Sequence, residues 1–409
     1  MIRLTVFPLT SMILVAGLTV PLALPSGSGG EDWPQYRGRH RDGVTSAGEI
    51  PLAWPADGPR VVWKKEAGAG FSQLAVRGGD IYTGVAAGTD EFAVRLDGET
   101  GQEVWRTAIG ASFEDRFGNG PRATPTLDGD SLYIVSASGE LHALRTSDGT
   151  KIWSLNLLEK FQSKKPRFGY SPSPLVEGWL LLLEVGGEGG RSLVALDKKS
   201  GTVVWTVLSG PAGYSSPVVA DMAGERQVVL PRGRTLTGLS LAGVILWEYQ
   251  MEEPAIAMPV VVKGDRIFVS SNGDTGCALV KVFRTEKGLA VKEEWRNRNM
   301  RNHFNSSLLI GDAIYGFDNA TLKCLDLESG EVKWAKRGFG KGSLIGVDDR
   351  LLVLSVKGNL VMVEANPEAY HELGSYHALE GKSWTAPSYV GGRVYLRNLT
   401  QMACLDLRR

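Results

Sequence analysis

Short stretches of alternating apolar and polar residues follow one another along most of the chain, separated by turns rich in Asp, Ser and Gly. The segment 124–144 shows this best, with the turn sequences Asp128-Gly129 and Ser138-Gly139 inside it. Similar runs occupy 258–272, 307–319 and 386–398. Alternation with a period of two indicates half-buried β-strands, and glycine supplies the positive φ that tight hairpin turns need. With no helical periodicity between the runs, the pattern predicts an all-β protein.

A tryptophan recurs at intervals of 39–52 residues through this alternating region. Several copies end the same ten-residue phrase, in which a strand ends at Leu, a polar turn follows and a second strand ends at Trp. The clearest phrases are 96–105, 144–153, 196–205 and 325–334, and weaker ones are 239–247 and 283–295. Two further strand-like runs precede each phrase. Four short strands per period are typical of the blades of a β-propeller.

Counting periods predicts eight four-stranded antiparallel blades. The seventh outer strand is expected at 373–376, where Tyr376 stands in for the tryptophan, and the last blade has only three strands of its own. The strand 61–64, at the start of the repeats, is expected to pair with this C-terminal blade and close the ring, which leaves no free edge. Because 335–383 is the least regular segment, a seven-bladed propeller stays as the alternative.

We interpret the recurring tryptophans as packing residues. Propeller blades splay apart at their outer strands, and an indole can fill the gap while its N–H reaches a carbonyl. The residues assigned to this structural docking role are Trp63, Trp105, Trp153, Trp205, Trp247, Trp295 and Trp334.

The first thirty residues have the pattern of a secretory signal. Arg3 precedes an apolar run over 12–24, and small residues follow at 25–28. A membrane anchor is the alternative, but Pro21 and Pro25 interrupt the run, which is shorter than the ~20 residues of a spanning helix. The prediction is a signal peptide over 1–27, an N-terminal extension over 28–59 lying on the propeller, and the propeller itself over 60–409. No cysteine precedes Cys277, so we expect a periplasmic or secreted protein without a lipid-bearing cysteine.

Charge and composition limit the partners. The chain has 45 basic and 45 acidic side chains, which removes the electrostatic case for nucleic acid or an acidic membrane. Its 51 glycines fit three tight turns per blade. Cys324 and Cys404 replace the alanines found in other blades, so we expect small buried side chains that lie too far apart to form a disulfide.

The phrase resembles the tryptophan-docking repeat of the eight-bladed quinoprotein (PQQ-like) propellers. Asp97, Thr100, Gly101 and Trp105 match that repeat in full, and the phrases ending at Trp205 and Trp334 match with Ser in place of Thr. The similarity covers about 60–409. The segment from Trp33 to Gly43 also resembles the lead-in of exported bacterial propellers of this kind, and we expect it to run across one face.

That family contains both PQQ-dependent alcohol dehydrogenases and a non-enzymatic propeller of outer-membrane barrel assembly. The dehydrogenases carry adjacent cysteines beside the quinone and hold Ca²⁺ with oxygen ligands, whereas the cysteines here are far apart. The resemblance therefore favours the barrel-assembly branch. We expect no cofactor, metal site or catalytic residues, with PQQ and Ca²⁺ as the alternative.

Function is expected at the loops that join each outer strand to the next inner strand. Three of them, 106–122, 154–169 and 296–304, are long or rich in charge, and binding residues concentrate on loops held by a rigid scaffold. The candidate ligand-binding residues are Arg122, Arg167, Tyr170, Tyr214, Arg301, His303, Asn305 and Trp384.

Two functions follow. The first is a non-enzymatic exported propeller, a monomer that does not span the membrane, which binds a protein, peptide or glycan through these loops. The alternative is an oxidoreductase of the PQQ-dependent alcohol dehydrogenase type.

Overall fold

Each group of alternating runs folds into one antiparallel sheet in the computed structural model, which describes residues 31–46, 50, 53–55 and 57–408. Two strands precede the repeats, β1 (Val44–Thr45) and β2 (Arg60–Glu66). In the described residues eight sheets follow in chain order, each with its first strand at the centre of the ring. The predicted all-β, eight-bladed propeller is confirmed. The seven-bladed alternative is wrong, because residues 343–377 form a complete sheet.

The first four blades take up residues 75–250. Blade 1 consists of β3 (Ala75–Arg77), β4 (Asp80–Ala87), β5 (Asp90–Asp97) and β6 (Glu103–Ala111). Blade 2 consists of β7 (Thr126–Asp128), β8 (Ser131–Val135), β9 (Glu140–Arg145) and β10 (Lys151–Asn156), followed by a short helix, α1 (Leu157–Phe161). Blade 3 consists of β11 (Leu175–Glu177), β12 (Leu180–Glu184), β13 (Leu193–Asp197) and β14 (Val203–Val207). Blade 4 consists of β15 (Val218–Met222), β16 (Glu225–Arg232), β17 (Thr235–Ser240) and β18 (Ile245–Gln250).

The last four blades complete the ring. Blade 5 consists of β19 (Val260–Val262), β20 (Arg266–Ser270), β21 (Cys277–Thr285) and β22 (Gly288–Asn297). Blade 6 consists of β23 (Leu308–Ile310), β24 (Ala313–Asp318), β25 (Thr321–Asp326) and β26 (Val332–Lys336). Blade 7 consists of β27 (Ser343–Val347), β28 (Arg350–Leu354), β29 (Asn359–Glu364) and β30 (Glu372–His377). Blade 8 consists of β31 (Ser388–Val390), β32 (Arg393–Arg397), β33 (Gln401–Asp406) and, as its outer strand, β2.

Pairing of the chain ends closes the ring as predicted. β2 runs antiparallel to β33, with Trp63 opposite Cys404. The outer strand of blade 8 therefore comes from the N-terminal side of the repeats, and closure couples the two ends of the propeller domain.

The Asp of the repeated phrase stabilises the turn between the two outer strands. Asp97 accepts hydrogen bonds from the backbone N–H and the hydroxyl of Thr100, both at 2.8 Å. Gly101 follows with a φ of 70°, and a Cβ there would lie 2.8 Å from the indole of Trp63 in the preceding blade. Glycine is needed at this position both for the backbone conformation and for the ring that packs on it.

The seven recurring tryptophans all lie in outer strands. Trp105 donates its Nε1–H to the carbonyl oxygen of Thr146 in the next blade at 3.0 Å. Five others reach the next blade in the same way at 2.8–3.1 Å: Trp63 to Gly98, Trp153 to Lys198, Trp205 to Leu241, Trp295 to Leu327, and Trp334 to Asn366. Trp247 differs, because β21 and β22 form a longer hairpin in the next blade, and its N–H donates to Oε1 of Gln227 in its own blade at 2.6 Å.

Blade 7 receives its indole from another part of the chain. Gly374 pairs with Met362 next to the β-bulge between β29 and β30. Trp334 pairs with Cys324 at the equivalent position in blade 6, so Gly374 stands where the other blades have the tryptophan. A Cβ on Gly374 would lie 2.9 Å from the ring of Trp54, which is 8% exposed. Tyr376, expected in the tryptophan's place, lies two residues further along and packs on Gly58 instead. The expectation for Tyr376 is corrected: Trp54 fills the position.

Small hydroxyl side chains connect successive blades near the axis. The backbone N–H of Gln73 donates to the hydroxyl oxygen of Thr124 at 2.9 Å, and the N–H of Thr124 donates to that of Ser173 at 2.9 Å. The N–H of Ser173 donates in turn to the hydroxyl oxygen of Ser216 at 2.8 Å. These bonds satisfy backbone donors that lie just before the inner strands, where no strand partner is available.

The N-terminal segment 31–46 enters the central channel. Trp33 and Val76 exchange two backbone hydrogen bonds at 2.8–2.9 Å, and β1 extends the sheet of blade 7 by pairing with β27. Arg41 donates to the carbonyl oxygens of Pro217 and Pro174 at 2.7 and 2.6 Å. We expected this segment to run across one face; it occupies the axis, because its arginines satisfy carbonyl groups of the inner strands.

Arg37 is a second buried arginine of this segment, and it also donates to backbone carbonyl groups. Arg37 donates to the carbonyl oxygens of Ser306 and Ser307 at 3.2 and 2.7 Å. Burial lowers the pKa of Arg41 to about 9 and that of Arg37 as well, with Tyr36 opposing the shift. Arg41 thus remains charged at neutral pH, with carbonyl dipoles as its partners.

The three cysteines, Cys277, Cys324 and Cys404, are buried and free. Cys324 lies opposite Trp334, and Cys404 opposite Trp63, across adjacent strands. The prediction of small, unpaired core side chains is confirmed. The predicted signal peptide, 1–27, lies outside the described residues, and no described helix is long and apolar enough to span a membrane.

Candidate functional site

A cavity of about 510 Å³ opens at the centre of one face of the propeller. We call this the loop face, because the loops that join the outer strand of each blade to the inner strand of the next surround it. Tyr36, from the segment inside the channel, contributes to the lining. Since Arg37 and Arg41 hold that segment in the axis, the cavity is closed at its base.

One sequence position supplies most of the wall. In seven of the eight blades, the residue four places before the inner strand lines the cavity. These residues are Phe71, Arg122, Ser171, Tyr214, Ile256, Phe304 and Trp384. In blade 7 the corresponding Phe339 packs in the core, and Lys341 lines the cavity. The repeat of the fold thus produces a ring of side chains around the axis.

Aromatic rings form a continuous arc on the wall. The ring centroid of Trp384 lies 4.9 Å from that of Phe304, 6.1 Å from that of Phe71 and 6.0 Å from that of Phe117. Phe117 continues to Phe168 at 5.8 Å. Tyr214 lies a further 5.8 Å from Phe168. These separations are those of attractive aromatic pairs, so the rings stabilise one another's positions.

Cationic side chains lie against the arc. Arg116 is 4.7 Å from the centroid of Phe117, Arg167 is 5.3 Å from that of Phe168, and Lys382 is 4.4 Å from that of Trp384. These are cation–π distances. Of the described residues that line the cavity, Asp115 alone bears a carboxylate.

Arg122 connects two of the loops. Its guanidinium donates to the carbonyl oxygens of Phe168 at 2.9 Å and Gly118 at 2.8 Å, and also to that of Gly120. Burial lowers the pKa of Arg122, and Glu91 opposes the shift. Much of the hydrogen-bonding capacity of Arg122 is therefore used in holding the wall together.

The opposite side of the cavity holds three polar groups. Lys341 donates to Nδ1 of His303 at 3.1 Å, and Asn305 donates to the carbonyl oxygen of Gly342 at 2.5 Å. Burial, with a contribution from Lys341, lowers the pKa of His303. The imidazole is therefore neutral at pH 7.

The structure brings five of the eight candidate residues into the cavity lining: Arg122, Tyr214, His303, Asn305 and Trp384. Arg167 is exposed beside the lining, over Phe168. Arg301 is bound to Asp318 at 2.7 Å and lies outside the lining. Tyr170 is fully buried and donates to the carbonyl oxygen of Val185 at 2.8 Å, so it is not available on the loop face. Its neighbour Ser171 has the position that faces the axis.

Several lining residues were missed by the sequence analysis, among them Phe117, Phe168, Phe304, Lys341 and Tyr36. Lys382, which lies over the ring of Trp384 outside the lining, was missed as well. Counting four places back from each inner strand identifies Phe304 from the sequence alone. The other missed residues lie in loops whose lengths differ between blades, or in the N-terminal segment. The repeat therefore does not predict their positions.

The residues of the cavity do not fit PQQ with Ca²⁺. Calcium takes six to eight oxygen ligands, usually with several carboxylates. The one lining carboxylate, Asp115, already accepts the backbone N–H of Phe117 at 2.8 Å. No three His, Cys, Asp or Glu side chains cluster as a metal site within 31–46, 50, 53–55 and 57–408.

Comparison with known proteins gives one family. A family profile described as outer membrane protein assembly factor BamB matches residues 89–336. The BamB protein of Yersinia pestis is 24% identical over 288 residues, covering 64% of this chain and 69% of that protein. The BamB protein of Escherichia coli (strain K12) is 23% identical over 286 residues, covering 63% and 69%.

Solved structures show the same architecture. BamB from Moraxella catarrhalis superposes with a TM-score of 0.61 at 16% identity, covering 84% of this chain and 96% of that one. Quinohemoprotein alcohol dehydrogenase from Comamonas testosteroni superposes with a TM-score of 0.65 at 12% identity, covering 92% and 80%. Because an outer membrane protein assembly factor and an alcohol dehydrogenase share the fold, function has to be argued from the site.

Proposed function

The chain belongs to the family of outer membrane protein assembly factor BamB, within the eight-bladed PQQ-like propellers, and from this we propose that it is an exported, non-enzymatic propeller that binds a protein partner in outer-membrane protein assembly. The binding site we propose is the loop-face cavity. Its occupant is a segment of another protein; a glycan is the competing ligand that the experiments below distinguish.

The observation that carries this proposal is the aromatic arc around Trp384. Phe71, Phe117 and Phe304 all lie within 6.1 Å of its ring, centroid to centroid, at the mouth of a preformed cavity. Binding sites are commonly concave, largely apolar and equipped with a few polar groups, as this one is. Large, rigid aromatic side chains give contact area at a low cost in conformational entropy.

The polar groups of the cavity support binding rather than catalysis. Arg122 and Asn305 donate to loop carbonyls, and Lys341 donates to His303. These contacts fix the shape of the wall. A general base has to be within reach of a nucleophile or of a substrate proton, and these groups are engaged with the scaffold.

The proposed location is the periplasm, in keeping with the signal pattern at 1–27 and with the family. The test is genetic. Deleting the gene in its host should lower the amount of folded outer-membrane protein, and the wild-type gene should restore it. We expect the Trp384→Ala gene to restore it poorly.

Trp179→Ala is the matched control for this experiment. Trp179 is 57% exposed in the turn before β12, at the opposite face of the propeller. The control should restore the level fully. Full restoration by Trp384→Ala, at equal protein abundance, would contradict the proposed site; an unchanged level after deletion would contradict the proposed function.

A further inference from the structure

We infer that the loop-face cavity binds an acidic segment of its protein partner and takes in an aromatic side chain from that segment. This inference rests on the proposed function and deepens it, because it assigns the chemistry of the occupant. Three independent features carry it: the charge at the mouth, the closed base and the aromatic wall.

The first feature is uncompensated positive charge. Arg116, Arg167, Lys341 and Lys382 surround the cavity, and none of them forms an ion pair with a carboxylate in the part of the chain that the structure describes. Several cations on the sides of the blades do have such partners; Arg95, for example, lies 2.8 Å from Asp80.

Since the whole chain has no net charge, the excess at the mouth is local. A ring of like charges around a cavity with one carboxylate among its described lining residues creates a positive potential that attracts an anionic ligand and disfavours a cationic one. Lys382 also donates to the carbonyl oxygen of Phe117, which holds its charge at the edge of the cavity. Acidic side chains on both sides of an inserted residue would meet these cations.

The second feature is the closed base. Tyr36 lines the cavity, and the segment that carries it is bound to the inner strands through Arg37 and Arg41. A peptide therefore cannot pass through the axis of the propeller. A side chain can enter from the loop face while its backbone crosses the mouth, which places the neighbouring residues of the ligand beside the cations.

The third feature is the wall. A ring that enters the cavity can pack against the aromatic arc that Trp384, Phe117 and Phe304 form. Such aromatic pairs contribute to binding beyond the area that they bury. The volume of about 510 Å³ is within the range of sites that bind small ligands. Sugar rings can stack on the same surfaces, so an acidic oligosaccharide is the alternative to exclude.

The test compares four probes by fluorescence anisotropy: an acidic peptide with a central aromatic residue, the same peptide with Lys for each acid, the same peptide with Ala for the aromatic, and an acidic oligosaccharide. We expect the acidic aromatic peptide to bind at least about tenfold more tightly than each of the other three. Its affinity should fall as salt is added, because the cations are at the surface.

Variants assign the contacts. The double variant Arg167→Glu/Lys382→Glu should weaken the acidic aromatic peptide by about tenfold or more and strengthen the lysine peptide, since its charge is reversed. Trp384→Ala should weaken both aromatic peptides. The controls are Arg77→Glu, which reverses a cation at the end of β3 on the opposite face, and Trp179→Ala. Thermal unfolding of each variant verifies that it is folded.

Each outcome has one meaning. If the lysine peptide or the oligosaccharide binds as tightly as the acidic aromatic peptide, the inference is wrong. If all three peptides bind equally and Trp384→Ala weakens all of them, the site binds protein segments and only the assigned chemistry fails. If no peptide binds and the Trp384→Ala gene restores outer-membrane protein fully, the proposed site fails together with the inference.

Discussion

The indole of Trp54 packs on Gly374, the residue that takes the tryptophan register in blade 7. A Cβ on Gly374 would lie 2.9 Å from the Trp54 ring. In the other blades the tryptophan of the outer strand itself provides this packing, whereas here the N-terminal segment does so. The segment before the propeller is therefore part of its core, because blade 7 is incomplete without it.

Replacing Trp54 with Ala should destabilise the protein by about 3 kcal/mol or more. The side chain is 8% exposed, and truncating a buried Trp costs about 3–5 kcal/mol. The free energy of unfolding from urea titration measures the loss. Trp179→Ala, at 57% exposure, should change it by about 0.5 kcal/mol or less. Equal effects of the two substitutions would show that Trp54 is not part of the core.

Arg41 should be worth more to stability than its neighbour Arg39. Replacing Arg41 with Met removes the side-chain donor of the carbonyl oxygens of Ser173 and Pro217, and each buried unsatisfied group costs about 1–3 kcal/mol. The carbonyl oxygen of Pro174 keeps the hydroxyl of Thr126 as a donor at 2.6 Å. Arg39→Met is the matched control, because the Arg39 side chain is exposed and its one ion pair with a described residue is a 3.8 Å contact with Glu31. We expect a loss of about 2–4 kcal/mol for Arg41→Met in urea unfolding. A loss no larger than that of the control would contradict the role of Arg41 in the channel.

Glu184 should make the protein less stable as the pH rises toward 8. Burial raises the pKa of its carboxyl to about 8, opposed by the backbone of Gly213 and by Arg232. The folded protein thus holds a proton that the unfolded chain releases above about pH 4.5, so the free energy of unfolding falls between these values. Between about pH 6.5 and pH 8, the contribution of Glu184 falls by about 1.5 kcal/mol.

The variant Glu184→Gln isolates this effect. Glu91 also has a raised pKa because of burial, and it remains in both proteins. His142, whose pKa burial lowers to about 4, is neutral throughout this window. The free energy of unfolding of wild type, relative to that of the variant, should therefore rise by about 1.5 kcal/mol on lowering the pH from 8 to 6.5. A difference independent of pH would show that Glu184 ionises normally in the fold.

The three thiols should be unreactive in the native protein. Cys277, Cys324 and Cys404 are buried, and burial raises their pKa values to about 12, 11 and 12, which leaves little thiolate at neutral pH. A thiol reagent at pH 8 should modify none of the three thiols quickly in the native state, and should modify all three quickly in denaturant. Rapid modification of any one of these thiols in the native protein would contradict its position in the core.

The sequence predicts the ring because the same short pattern of strand, turn and packing residues recurs from blade to blade. Asp97, Gly101 and Trp105 recur at fixed spacing, so alternation and turn residues define the strands and the packing of one blade on the next. Trp54 was not predicted as the partner of Gly374, since no local pattern connects residues so far apart. The same holds for Arg41, whose partners are carbonyl oxygens of three distant residues.

Five of the eight candidate residues predicted from the sequence line the cavity, and Tyr170 misses the lining by one residue. Tyr170 and Ser171 are neighbours, and successive residues of an extended chain point in opposite directions. A shift of one position therefore exchanges a core residue for a wall residue. Trp384 and Tyr214 each lie four residues before an inner strand, in the loops where binding was expected. Phe117 and Lys382 belong to loops without a repeat, so only the structure brings them together.

Site-specific photocrosslinking tests the central claim, that the loop-face cavity holds a protein partner. The probe is a benzoyl-substituted phenylalanine in place of Phe117, which is 36% exposed in the aromatic arc, and the control places it at Trp179 on the opposite face. Irradiation of cells, followed by mass spectrometry, should identify a crosslink from position 117 to an outer-membrane protein or to a protein of its assembly, and none to that partner from position 179. Crosslinks from 179 alone, or from neither position while the outer membrane still depends on the protein, would contradict the account.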